Sequence, residues 1–338
     1  MKTDWVAEVF TTMRDCGEDI SIVYGYQEQP ASPAESRADP RWFEKPHNQF
    51  DGMSGLASLL RAEGLCVEKL PVLRGDRFTF ARALRGFCAF LPALKIWPRQ
   101  WRQFDGTLPV RFRPVRERLA WHLFSEGQTR RIIAAAKLAG VTVNTYLLFH
   151  LDAAVSARLT QPSSGRRWMI PVNLRGAVTR QPENAPHMSF LAVDLNGDES
   201  PGKVQKQIDA LKSRAYHWGA WVALHAGKVI GARGMRNDLM MREKKQHGWT
   251  GIFSNLGVWE VPGGCHWIFC PAVWRAQPVG AGCLTMNGRM ALSLQLHDGF
   301  GADLGTAYAL LDDWKQRCLL PFTNDASPAR EPCHAHVA

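Results

Sequence analysis

The dipeptide Asn287-Gly288, set between the apolar runs 281–286 and 289–297, limits how this chain can fold more than any other feature. Two residues that tolerate positive φ make a tight turn, and the flanking runs make it an antiparallel hairpin. Such a hairpin needs further strands beside it and a layer over its apolar face. Strand candidates occur at 20–26, 42–47, 168–174, 190–195, 250–254 and 266–271. Helical spacing marks 4–15, 126–139, 144–159, 201–231, 233–246 and 303–317. Met53, Leu56, Leu59 and Leu60 begin another helix that Gly64 ends, Ser125 is an N-cap, and Thr142 or Asn144 opens the helix after it. The alternation predicts an α/β (α+β) chain of mixed sheets flanked by helices.

At 338 residues the chain has room for two domains. The linker-like stretch 105–120 divides it into an N-terminal unit, 1–110, and a C-terminal unit, 118–322; a Pro-rich, disordered tail at 323–338 follows. The segment 27–41 reads as a surface loop. No fixed repeat, signal peptide or run of about 20 apolar residues occurs. Eight scattered cysteines without a CxxC pair suit reduced thiols and a cytoplasmic location. Cys265-His266 with Cys270 lacks a second ligand pair, so no metal is expected. Of a net charge of +10, most sits between Arg74 and Arg118, where eleven basic residues face three acidic ones among several aromatics. That stretch suits peripheral contact with a membrane surface or an anionic ligand, or a solvated connector with its long side chains laid over the core. No nucleic-acid motif accompanies it.

Four stretches carry chemistry. Pro46-His47-Asn48-Gln49-Phe50-Asp51-Gly52 sets a histidine at a strand end, before a helix. An imidazole titrates near neutrality and suits general-base work. Ile170-Pro-Val-Asn-Leu-Arg175 ends a strand in a permanently charged fork that fits a carboxylate. Gly251-Ile-Phe-Ser254-Asn255-Leu-Gly257 delivers two small hydrogen-bonding side chains to a glycine turn, and the hairpin ends at His297-Asp298.

In this order, over residues 42–320, the four resemble the coenzyme-A-dependent acyltransferase superfamily of chloramphenicol acetyltransferase. That superfamily includes condensation domains, polyketide-associated acyltransferases and wax-ester synthases. Its HHxxxDG signature is present with Pro46 in place of the first histidine and His47 as the second. The resemblance implies the two-domain chloramphenicol acetyltransferase-like fold. It also implies transfer of an acyl group from acyl-CoA, or from acyl-pantetheine on a carrier, to a hydroxyl or amine of a small molecule or lipid. No bound cofactor is implied. His47 would take the acceptor's proton, and Asp51 would pair with Arg175 rather than act as a base. Gly52 would donate a backbone hydrogen bond, and Ser254 or Asn255 would help hold the oxyanion. Only 46 residues precede His47, fewer than such proteins usually have. Set against the resemblance, this implies that the N-terminal domain is truncated, that the start codon is misassigned, or that a second copy or a partner chain completes the sheet.

Local readings stand beside these roles. Asp51 can cap the following helix, Ser254 and Asn255 are ordinary turn residues, and His297-Asp298 is a strand end whose side chains diverge. Trp218 and Trp221 are candidates for an acyl channel. A non-catalytic relative that binds an acyl chain, a carrier or a membrane is the alternative to the enzyme.

Overall fold

The computed structural model describes residues 5–28, 39–65, 67, 70–72, 76–94, 101–111, 113–161, 164–178, 186–231, 234, 237, 248–262 and 264–320. The expected tail at 323–338, most of the loop 27–41 and most of the helix 233–246 lie outside them, as do 74–75, 95–100 and 112 of the basic stretch.

The chain opens with α1 (Trp5–Asp15), β1 (Ser21–Gln27), β2 (Arg41–Pro46), α2 (Gly52–Ala62) and α3 (Phe80–Phe90). After a short strand, β3 (Leu119–Leu123), come α4 (Glu126–Leu138), α5 (Val143–Leu159), β4 (Arg166–Asn173), β5 (Met188–Leu195), α6 (Pro201–Ser213) and α7 (Tyr216–Ala226). The last part is β6 (Gly251–Trp259), β7 (His266–Cys270), β8 (Val279–Met286), β9 (Arg289–Leu296) and α8 (Leu304–Leu319). Local signals account for many of these ends. Ser125 closes a capping box with Gln128, Thr142 rather than Asn144 caps α5, and Asp303 caps α8. Asn287 and Gly288 hold φ of 50° and 75°, the turn that joins β8 to β9.

Among the described residues the strands form two sheets, one of six in the order β3-β9-β8-β6-β4-β5 and one of three in the order β2-β1-β7. In the larger, β4, β6 and β8 run parallel through the centre and antiparallel partners flank them. Its core gathers the inner faces of α4, α5 and α8, and a second core lies between α2 and the small sheet. The strand β7 connects the two. It lies in the chain between the neighbours β6 and β8, yet it pairs antiparallel with β1, so the small sheet takes its third strand from the C-terminal half.

Two elements depart from the sequence reading. The basic stretch 74–118 is not solely a connector, because α3 folds within it, capped by Thr79, and packs along α7. Its partner region, read as one helix over 201–231, breaks at Ala215, which holds φ of 55°. The break turns Gly219 toward Gly86. A Cβ on Gly86 would stand 2.1 Å from the Ala215 carbonyl oxygen, and one on Gly219 would stand 2.0 Å from the Gly86 oxygen. The helices therefore meet backbone to backbone. Gly219→Ala should force them apart and lower the unfolding free energy by about 1–3 kcal/mol, the usual cost of overpacking, measurable by urea denaturation.

Candidate active site

Between the two sheets, β2 ends at Pro46 and the chain turns into α2. The His47 N–H donates to the Ile20 carbonyl at 3.0 Å, which continues the β1–β2 pairing by one residue and fixes the position of the imidazole. His47 is 8% exposed. On one side Phe10 of α1 stacks on it, with centroids 4.0 Å apart and planes 15° from parallel. At its edge Nδ1 lies 2.9 Å from the Phe50 carbonyl oxygen. A carbonyl oxygen can only accept, so Nδ1 carries the proton and Nε2 keeps its lone pair. Burial pushes the imidazole pKa below its ordinary value, against the smaller opposing pulls of the Phe50 carbonyl and the Asp51 charge. The ring is therefore a neutral base at neutral pH.

Asp51 serves two partners at once. Oδ1 accepts from the Met53 and Ser54 amides, each at 3.0 Å, and so caps α2. Oδ2 accepts from Arg175 Nη2 at 2.6 Å and from the His187 amide at 3.1 Å. Both side chains of the ion pair are 6% exposed. Arg175 is steered by Asn173, whose Oδ1 accepts from the Arg175 amide and from Nη1, and whose Nδ2 donates to the Pro71 carbonyl. One carboxylate thus fastens the loop of His47, the first turn of α2 and the end of β4. Gly52 permits the fit, since a Cβ there would stand 2.8 Å from Leu256 and 3.0 Å from Phe269.

On the large sheet, Ser254 and Asn255 stand before a bulge in β6, where Gly257 takes φ of 82°. Asn255 Nδ2 donates to Asn144 Oδ1 at 2.6 Å, and its Oδ1 accepts from the Gly257 amide. Ser254 is 7% exposed and lines the same small cavity, of about 80 Å³, as His47, Asp51, Gly52 and Arg175. A larger cavity of about 360 Å³ also reaches the imidazole. His47, Met188 and Ile252 line both, so the ring sits at the neck between them.

Trp218 and Trp221 line neither cavity. Trp218 is fully buried and donates to Asp76 Oδ1 at 2.9 Å, so it ties the loop before α3 to α7. Among the described residues, the tryptophans at the large cavity are Trp249 and Trp274. His297 and Asp298 lie elsewhere: Asp298 pairs with Arg113, and His297 lies near buried Glu18. Sequence reasoning missed Phe10, the Phe50 carbonyl and the His187 amide. The amphipathic pattern of α1 carried a signal for a docked helix but none for where it docks.

Asp51→Ser separates the two roles of the carboxylate, because serine keeps the cap and loses the ion pair. Breaking a buried pair from one side should cost about 3–5 kcal/mol, read as a fall in the urea midpoint. Phe10→Ala should let water reach the ring and raise the His47 pKa toward its ordinary value of about 6.5. A proton NMR titration of the His47 ring would show the midpoint move up.

No family model matches the chain, and no curated protein matches it in sequence. Solved structures do match. The EpoB cyclization–docking bidomain from Sorangium cellulosum aligns at 12% identity and a TM-score of 0.52, over 83% of this chain and 61% of that one. The trichothecene 15-O-acetyltransferase from Fusarium sporotrichioides aligns at 13% identity and 0.51, over 88% and 70%. Polyketide synthase associated protein 5 from Mycobacterium tuberculosis aligns at 11% identity and 0.50, over 95% and 98%. At these identities the likeness is one of fold, and the fold is the two-domain, chloramphenicol acetyltransferase-like one shared by condensation domains and coenzyme-A-dependent acyltransferases.

Proposed function

We propose that this chain transfers an acyl group from a thioester, acyl-CoA or a carrier-bound pantetheine, to an acceptor hydroxyl, with His47 as general base. The observation that carries the reading is the neutral imidazole with its Nδ1 proton held by the Phe50 carbonyl, placed at the neck between two cavities. Two substrates arriving from opposite sides would meet at that ring.

In the forward step, the acceptor O–H gives its proton to Nε2 as its oxygen attacks the thioester carbonyl carbon. The carbonyl electron pair moves onto oxygen and forms a tetrahedral oxyanion. When the oxyanion collapses, the C–S bond breaks, and the imidazolium returns the proton to the departing thiolate. Two groups suit the oxyanion. The Gly52 amide lies in the first turn of α2, where backbone N–H groups and the helix dipole favour negative charge. The Ser254 hydroxyl lines the same cavity, and it is better suited than Asn255, whose amide nitrogen is given to Asn144. Asp51 and Arg175 position the loop and take no proton.

A hydroxyl acceptor is preferred to an amine because the Pro171–Arg175 and Ser254–Gly257 runs look closer to the stand-alone acyltransferases than to the condensation domains. The basic stretch 74–118 is proposed as a place where a membrane surface or an anionic donor approaches. Pro46, which stands where the superfamily's signature has its first histidine, favours a second reading: a relative that binds an acyl thioester without transferring the group.

Transfer from a panel of acyl-CoA donors to small alcohols decides between them. His47→Ala should lower the transfer rate by about 10²–10⁴, the usual contribution of a general base, and equal rates in wild type and variant would remove the enzyme reading. The working form is unprotonated, and its pKa lies below about 6.5. The rate should therefore be flat above neutrality and fall only as the solution is acidified past that value. Ser254→Ala should cost up to about 10²–10³ in rate if the hydroxyl faces the oxyanion.

A further inference from the structure

The larger cavity beside His47 defines the chemistry of whatever occupies it. We infer that this cavity binds an uncharged, apolar chain of about ten carbons, belonging to one of the two substrates, with α1 as one wall. For its chemical role the inference rests on the acyl-transfer reading, but occupancy can be tested without turnover.

Val9, Phe10 and Met13 of α1 face Ala220 and Ala223 of α7, and Trp274 joins the lining from the strand-connecting loop. Among the described residues that line it, none is charged, and apart from His47 the polar side chains are Ser189 and Gln277. Both are already engaged with the protein. The Ser189 hydroxyl donates to the His217 carbonyl at 2.6 Å, and Gln277 Oε1 accepts from Trp274 Nε1 at 2.8 Å. A carboxylate, phosphate or ammonium placed here would lose its water and find no charged side chain to pair with among the described lining residues, so the lining selects against charge. Size points the same way. A cavity of about 360 Å³ is more than twice the roughly 150 Å³ that takes one benzene ring in a dry apolar cavity, so a chain of about ten carbons fits.

The small side chains of α7 are what leave the space. Ala220 and Ala223 follow from the helix that lies against α3 through Gly86 and Gly219, and they present only methyl groups to the cavity. On the opposite wall Phe10 has two roles, because the ring that stacks on His47 also lines the cavity. A chain in the cavity therefore touches the residue that sets the plane of the imidazole.

The test is a fluorescence titration of the full chain with N-phenyl-1-naphthylamine, a neutral apolar probe, displaced by competitors at pH 8. 1-Decanol should displace it, and decanedioate should do so at least about tenfold less well, since whichever end enters would bury a carboxylate. Ala223→Phe and Val9→Phe fill the cavity from opposite walls, and each should weaken probe binding about tenfold. Circular dichroism checks that each variant folds, and the comparison of the two competitors on wild-type protein needs neither variant. Equal displacement by 1-decanol and decanedioate overturns the inference, and so does unchanged probe affinity in the folded filled variants. Displacement by decanoyl-CoA but not by acetyl-CoA assigns the chain to the donor, whereas displacement by 1-decanol with decanoyl-CoA ineffective assigns it to the acceptor. Charge-selective probe binding without any acyl transfer would remove the enzymatic reading and leave the cavity's chemistry standing. Transfer with no charge selectivity would do the reverse.

Discussion

A single carboxylate holds the centre of this protein together. Asp51 caps α2 with one oxygen and grips Arg175 and the His187 amide with the other. The partners lie 124 and 136 residues further along the chain, so the contact clamps the N-terminal half to the large sheet. Both charges are buried, and neither could stay there without the other. The loop that carries His47 is short and lies between β2 and α2, so fixing its far end at Asp51 and its near end through the Ile20 carbonyl leaves the imidazole little freedom.

That rigidity gives the ring its chemistry. An imidazole that is buried, stacked on Phe10 and bonded at Nδ1 to a backbone carbonyl has one tautomer and one free nitrogen. Burial lowers its proton affinity and keeps it neutral in ordinary conditions. Its place between a small cavity with Asp51, Arg175 and Ser254 and a large apolar one divides the surroundings by polarity. Polar groups gather in the small cavity, and apolar walls gather in the large one.

The fold was legible in the chain wherever its rules are local. The Asn287-Gly288 turn, the caps at Ser125 and Thr142 and the positive-φ end at Gly64 follow from backbone chemistry within a few residues. Helix α3 was legible only as a basic, aromatic, partly amphipathic stretch, because the α7 face it packs on lies far along the chain. The break at Ala215 was also hidden: alanine favours a continuous helix, and only the close approach of Gly86 and Gly219 requires the chain to turn there.

The sequence by itself determined the chemical types and their order: an imidazole at a strand end, a carboxylate before a helix, a guanidinium after a strand, a hydroxyl before a glycine turn. Residue identity and local backbone preference are enough for that. Only the tertiary structure decided that β7 leaves its neighbours to pair with β1, that Phe10 covers His47, that Asp51 serves as cap and counter-ion together, and that Trp249 and Trp274 rather than Trp218 line a cavity. Each of these joins residues distant in the chain, and such contacts are chosen by how whole faces bury their apolar area and satisfy their polar groups, which no local spacing encodes.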